Sequence, residues 1–385
     1  MLPPLRLIHQ NKEDPLDLTE LFHKRQNEIK ELVIDPKILV KKLGEYVIGQ
    51  DSAKRALALA VFNRSVRMLH GHGVVKLDVP IKKHNVLLAG NTGSGKTALV
   101  RALGEIVDVC ITFSDFSGIT ARGYHGKGLV EVVENHIDNA STYAQEKYAH
   151  HCPEYIVEQI DLAAATGVLY IDEFDKCRSR DPSLNTSGKD FTGSLVQAEL
   201  LGLLEGDSYS LTKANAFFDP SHLLIICSGA FVGLDEIILR RLNKKSTMGF
   251  GGSLKATEEN NSKILDHLTP EDLVEYGFLP ELVGRIPLIS SLRPLTDQDL
   301  LKILTDVKGS LISEQKSLFK LFGIDLQFTN TALLAIAKQA KLHKTGARAL
   351  RALVGRVTEE LQYSIYDSET TIRVTEKMVN NALEV

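Results

Sequence analysis

The chain has no uninterrupted apolar stretch approaching the roughly 18 residues of a membrane span, and Met1 to Gln10 lacks the apolar core of a secretory leader. Neither a membrane protein nor an exported one is expected. A strong excess of either charge is missing too. The formal net charge is −4 over 385 residues, which excludes the broad basic surface of a dedicated nucleic-acid binder. Cysteine is scarce: Cys110, Cys152, Cys177 and Cys227 are scattered, with no C-x-x-C pair. That excludes a disulfide framework and fits a reducing cytoplasm. No internal repeat and no low-complexity tract is visible.

What remains is ordinary globular material, 43% hydrophobic and 24% charged, with enough chain for two cores. From about Leu43 to Pro287, short apolar runs alternate with amphipathic patterns, as a parallel α/β sheet sandwiched by helices requires. His84–Ala89, Asp108–Phe113, Val168–Ile171 and Leu223–Cys227 read as buried strands. Leu99, Val100, Leu103, Ile106 and Val107 form one apolar helical face; Leu195, Val196, Leu200, Leu203 and Leu204 form another. Pro294 after Arg293 marks a boundary, with Thr296 as a helix cap. Beyond it, Asp297 to Leu321, Asn330 to Lys341 and Ala347 to Tyr366 read as helical, with strands at Ile324–Phe328 and Thr371–Val374. The expected organisation is a lead-in over 1–42, a large α/β domain over 43–292 and a small, mainly α-helical domain over 293–385. In the lead-in, Leu18, Leu21, Phe22, Ile29, Leu32 and Val33 make an interrupted apolar stripe that either docks on the body or binds a partner.

Gly90, Asn91, Thr92, Gly93, Ser94, Gly95, Lys96 and Thr97 match G-x-x-x-x-G-K-[ST] in full, after an expected strand and before a helix that takes in Ala98. The glycines let the backbone curl so that its N–H groups point at phosphate oxygens. Lys96 can reach the β- and γ-phosphates of ATP, and Thr97 can offer its hydroxyl to Mg²⁺. The next signal comes 76 residues beyond Lys96, where a buried strand ends in Asp172 and Glu173. The strand delivers both acids to the carboxyl edge of the sheet, beside the phosphate loop. Asp172 suits Mg²⁺, and Glu173 suits the polarisation of attacking water, which makes an ATPase rather than a nucleotide switch. After the fourth expected strand comes Ser228, which either touches the γ-phosphate or the water, or is small for packing.

These blocks belong to a longer ordered series. Tyr46 to Gln50, the phosphate loop, Tyr170 to Lys176, Cys227 to Phe231, Phe278 to Pro287 and Lys344 to Arg351 together resemble the ClpX family of AAA+ unfoldases, from about Leu43 to the C-terminus. The resemblance implies a homo-oligomeric ring, hexameric in such relatives, that hydrolyses ATP to unfold tagged proteins and feed them to a Clp-type peptidase in the cytoplasm. Val47 and Ile48 look like the pair packed on adenine. Arg285 looks like an arginine finger inserted into the neighbouring subunit's site, and Arg348 like a sensor of phosphate in cis. Gly123, Tyr124, His125 and Gly126 stand where relatives carry an axial pore loop. Thr247 to Gly252, with Met248, Gly249 and Phe250 at its centre, resembles the peptidase-docking loop, or else folds back on its own subunit.

Four departures from the family are visible. There is no cysteine before Cys110, so the zinc-binding N-terminal domain of relatives and its structural zinc are not expected. Gly206 to Ser221 holds Lys213 as its only cation, beside Asp207 and Asp219, where relatives carry a basic Arg-Lys-His loop. His125 stands in place of the usual valine. The stretch from Val130 to Gly167 is also longer than expected and is read as a solvent-facing helix despite His150, His151 and Cys152. Competing readings are a peptidase-independent remodelling chaperone, an HslU-like subunit and, against the charge balance, a nucleic-acid translocase.

Overall fold

The computed structural model describes residues 33–71, 73, 77–116, 128–179, 191–211, 216–247, 264–343, 346–365 and 370–383. Strands β1 (Val86–Ala89), β2 (Ile111–Asp115), β3 (Val168–Asp172), β4 (Tyr209–Leu211), β5 (Ala216–Phe218), β6 (Leu224–Gly229) and β7 (Leu288–Ser291) all lie before Leu292, with helices between them. Five of them form one parallel sheet in the order β2-β3-β6-β1-β7. The antiparallel pair β4–β5 is a separate hairpin.

Alternation along each strand builds two cores, one on each face. Leu87, Ala89, Leu169, Ile171, Ile225 and Cys227 face one side. Val86, Leu88, Val168, Tyr170, Leu224 and Ile226 face the other. The second side is covered by α1 (Pro36–Tyr46), α2 (Asp51–Gly71) and α3 (Lys96–Val107). The first is covered by α4 (Leu129–Lys147), α5 (Pro153–Thr166), α6 (Phe191–Glu205) and α7 (Leu234–Thr247), with α8 (Pro270–Tyr276) and α9 (Pro280–Gly284) closing it.

The buried members of a third core start at Leu300 and include Leu304, Phe319, Ile336, Leu350, Val354, Val374 and Val379, with Leu295 packed against them. It is made by α10 (Asp297–Thr305), α11 (Leu311–Leu321), α12 (Asn330–Leu342), α13 (Ala347–Tyr363) and α14 (Glu376–Leu383), with the parallel pair β8 (Asp325–Phe328) and β9 (Thr371–Val374). The connection into this unit is braced. Thr296 and Asp299 form a capping box, and Arg293 gives Asp299 two bonds, at 2.6 and 3.1 Å. Those bonds hold the Asp299 carboxyl well below the usual carboxylate range.

Several details differ from the sequence reading. The first strand begins at Val86, because Asn85 commits its side chain to backbone carbonyls instead of continuing the apolar run. The second begins at Ile111, since Asp108 takes a left-handed φ of 52° to end α3. Leu195 is 48% exposed and leaves the apolar face of α6. The stretch 297–321 is two helices parted by Gly309 at φ 70°. The stretch 130–167 is a helical pair; α4 buries Val132, Val133, His136, Ala140 and Ala144, and only its turn carries exposed His150, His151 and Cys152. Strand β7 and helix α14 were not anticipated. The apolar stripe in the lead-in falls, except for Val33, outside the described residues.

Candidate functional site

The site lies at the carboxyl ends of β1, β3 and β6. β1 runs into Gly90, where a Cβ would come within 2.9 Å of Leu292 Cβ, so only glycine allows the chain to pass. Gly93 and Gly95 then take φ of 79° and 102°, curling the loop into the start of α3. No side chain caps that helix, which leaves its first N–H groups for an anion. The Lys96 ammonium folds over the loop, donating to Gly90 O at 2.5 Å and Asn91 O at 3.0 Å.

Facing the loop, β3 ends on Asp172, and Glu173 follows it. Thr97 Oγ1 lies 3.5 Å from Asp172 Oδ2 and 3.3 Å from the Tyr170 hydroxyl. Asp172 Oδ1 accepts the Ser228 hydroxyl at 2.6 Å and the Glu173 N–H at 2.9 Å. Glu173 itself sits at a left-handed φ of 55° and pairs with Lys176. Asp175 accepts the Phe231 N–H at 3.2 Å, tying the acidic turn to the end of β6.

Two further segments touch the loop. Gln50 is buried; its amide nitrogen donates to Ser94 O at 3.0 Å and Arg293 O at 2.8 Å, and its oxygen accepts Arg293 N–H at 2.9 Å. This staple fixes the Val47–Ile48 segment beside the loop: Val47 Cγ1 stands 3.7 Å from where a Cβ on Gly95 would lie, and Ile48 is half-buried. From the third core, Ala347 N–H points to Gly93 O at 3.4 Å, bringing the first turn of α13 and Arg348 to the phosphate loop. Arg285 belongs elsewhere: its guanidinium pairs with Glu205 at 2.5 Å, and its carbonyl accepts from Asn85.

Residues 81–289 match the model of the AAA domain (Cdc48 subfamily). The chain is 36% identical over 360 residues to the ATP-dependent Clp protease ATP-binding subunit ClpX of Treponema denticola, covering 90% of this chain and 81% of that protein. It is 33% identical over 338 residues to the subunit of the same name from Azotobacter vinelandii, covering 84% and 73%. The chain belongs to the ClpX family. It is accordingly an AAA+ ATPase and an ATP-dependent unfoldase of the Clp type.

For a ClpX-family site, the electrostatics are apt. Burial pulls the Lys96 ammonium below its ordinary pKa; Asp172 opposes that shift and Arg348 adds to it. Asp175 opposes the shift too, and an anionic group bound beside Lys96 would offset its burial further. Mg²⁺ fits the donors as well. Thr97 Oγ1 and Asp172 Oδ2 are both hard oxygens, few enough to leave room for phosphate oxygens and water. Among the described residues, no cluster of three or more His, Cys, Asp or Glu side chains could hold a metal by itself. Nor, among these residues, is any helix long and apolar enough to cross a membrane.

Sequence reasoning did not single out Gln50, Tyr170, Glu205 or Lys176. A signal existed for Tyr170, because a tyrosine inside a buried strand must find a partner for its hydroxyl. For Ser228, left open between phosphate contact and packing, the structure gives a third role as a donor to Asp172. Gly123, Tyr124, His125 and Gly126, together with Met248, Gly249, Phe250 and Lys213, lie outside the described residues.

Proposed function

We propose that this chain is the motor subunit of a homo-oligomeric ring, hexameric as in its relatives, that threads tagged or loosely folded proteins toward a Clp-type peptidase in the cytoplasm. The observation that carries the reading is the meeting of Lys96, Thr97 and Asp172 at one loop, with Glu173 next in the chain and paired with Lys176, while Arg285 is held at Glu205. Gly90 to Ala98 cradle the phosphates, and Lys96 balances their charge. Val47 and Ile48 pack on adenine. Thr97 and Asp172 hold Mg²⁺, which when bound neutralises charge on the β- and γ-phosphates. Glu173, released from Lys176, accepts a hydrogen from the attacking water. Arg285 reaches a neighbour's nucleotide and offsets charge on the transferred phosphoryl group. Arg348 reports nucleotide state to the third core, so that the units 43–292 and 293–385 hinge about Arg293.

Tyr124, flanked by Gly123, His125 and Gly126, grips substrate in the pore. Met248, Gly249 and Phe250 dock the peptidase. No structural zinc, nucleic acid or membrane enters this scheme. The test combines the protein, ATP, a Clp peptidase and a folded, tagged reporter. Loss of the reporter only with all four present is the expected result. Unfolding that proceeds without any peptidase stimulation points instead to a remodelling chaperone, and ATP turnover without unfolding overturns the motor reading.

A further inference from the structure

Three hydroxyls and one carboxylate form a chain whose direction can be deduced. A carboxylate only accepts, so Ser228 directs its single hydrogen to Asp172 Oδ1, 2.6 Å away. Ser228 must then accept the Tyr170 hydroxyl hydrogen across 2.7 Å. With that hydrogen committed, the Tyr170 oxygen faces Thr97 Oγ1, 3.3 Å away, as an acceptor. The order is Thr97 to Tyr170 to Ser228 to Asp172. Both middle groups are shielded from water, Ser228 at 0% and Tyr170 at 1% exposure, so solvent does not scramble it. The competing acceptor for Thr97 is Asp172 Oδ2, at 3.5 Å.

We propose that Tyr170 and Ser228 are positioning residues for the cation that accompanies the nucleotide. They draw the Thr97 hydrogen aside, leaving its lone pairs facing the cation, and they fix Asp172 through Oδ1 so that Oδ2 stays available. The inference rests on the reading of Thr97 and Asp172 as the cation-holding pair.

The test is equilibrium binding of a fluorescent ADP analogue to the full-length protein, titrated with Mg²⁺ and repeated in EDTA. Ser228→Ala and Tyr170→Phe each raise the Mg²⁺ midpoint about three- to tenfold, the scale of one lost hydrogen bond, and leave metal-free binding within about twofold. Ser228→Thr restores the midpoint. The double variant shifts it no further than the larger single change, since both break one chain. Unshifted midpoints in Ser228→Ala and Tyr170→Phe, beside a raised midpoint in Asp172→Asn, overturn the relay and spare the cation pair. An unshifted midpoint in Asp172→Asn overturns the pair and the relay with it. An equal loss of metal-free and metal-dependent binding in the two relay variants assigns them a merely structural role and also overturns the proposal.

Discussion

The two ends of the parallel sheet carry polar groups of opposite habit. At the carboxyl end, apart from Lys96 and Gln50, which donate to backbone carbonyls, Thr97, Tyr170, Ser228, Asp172, Glu173 and Lys176 bond mainly to one another, side chain to side chain. At the amino end, buried or half-buried donors bond to backbone carbonyls. Arg64 reaches Thr166 O at 2.6 Å, and Arg67 reaches Ser221 O at 2.5 Å. Lys83 reaches Leu203 O at 2.9 Å and Pro220 O at 3.0 Å, while Asn85 reaches Leu204 O at 3.1 Å and Arg285 O at 2.8 Å. Burial pushes Lys83 down to about 7, and Arg64 and Arg67 down to about 10. These donors satisfy backbone carbonyls at the strand starts and helix ends, of which Pro220 O also accepts the Leu223 N–H at 3.0 Å. A bond to fixed backbone has one geometry, whereas bonds among side chains can be traded for a ligand. The amino end is therefore built as scaffold, and the carboxyl end is where the chemistry is proposed.

The comparison predicts a division between variants. Glu173→Gln has the largest effect: ATP turnover falls about 100- to 10,000-fold, while nucleotide affinity and the melting temperature stay as they are. Turnover near the wild-type rate removes Glu173 from the chemistry. Asn85→Ala gives the reverse pattern. It orphans two carbonyls, lowering stability by about 2–4 kcal/mol in urea unfolding, and the molecules that remain folded bind nucleotide normally. A stable Asn85→Ala protein with poor nucleotide binding would erase the distinction between the two ends.

A pH titration sharpens the same contrast. His136 is buried, with its ring between Thr112 Oγ1 at 2.7 Å and Ala164 O at 2.9 Å, and burial lowers its pKa to about 4 from 6.5. The folded state resists the proton more than the unfolded chain does. His136 therefore costs nothing above pH 6.5 and destabilises progressively as the pH falls toward 4, by on the order of 3 kcal/mol in all. Urea midpoints measured from neutral to mildly acidic pH should fall less steeply in His136→Gln than in the parent. Parallel curves would show that His136 is not the group responsible.

How much of this was readable in sequence follows from the same physics. The phosphate loop was readable because its chemistry demands glycines, lysine and threonine in one contiguous order. The four inner and edge strands β1, β2, β3 and β6 were readable as apolar runs, with ends that slipped where Asn85 and Asp108 use side-chain or left-handed conformations. β7 was missed because Leu-Ile-Ser-Ser after Pro287 is too short and too polar to announce a strand; pairing with β1 makes it one. The hydroxyl chain was hidden for another reason. Thr97, Tyr170 and Ser228 lie far apart in sequence and meet only once β1, β3 and β6 are neighbours. The placement of Tyr124 and Met248 is untouched by any of this, since both lie outside the described residues.

The smallest predicted effect lies where the two ends connect. Asn85 holds the Arg285 backbone on the scaffold side, yet the Arg285 side chain is proposed to act at a neighbouring subunit's chemical end. Its guanidinium is 47% exposed and pairs with Glu205, itself 30% exposed. Such an ion pair is worth at most about 1 kcal/mol, so Glu205 restrains Arg285 only weakly. Glu205→Gln should therefore raise ATP turnover in the assembled protein by no more than about fivefold, because Arg285 leaves its resting partner more readily. The melting temperature should not change. Arg285→Ala, made in parallel, removes the group itself and should abolish that gain, so the Glu205→Gln, Arg285→Ala double variant turns over as slowly as Arg285→Ala alone. A double variant that keeps the gain would mean that Glu205 acts through something other than Arg285.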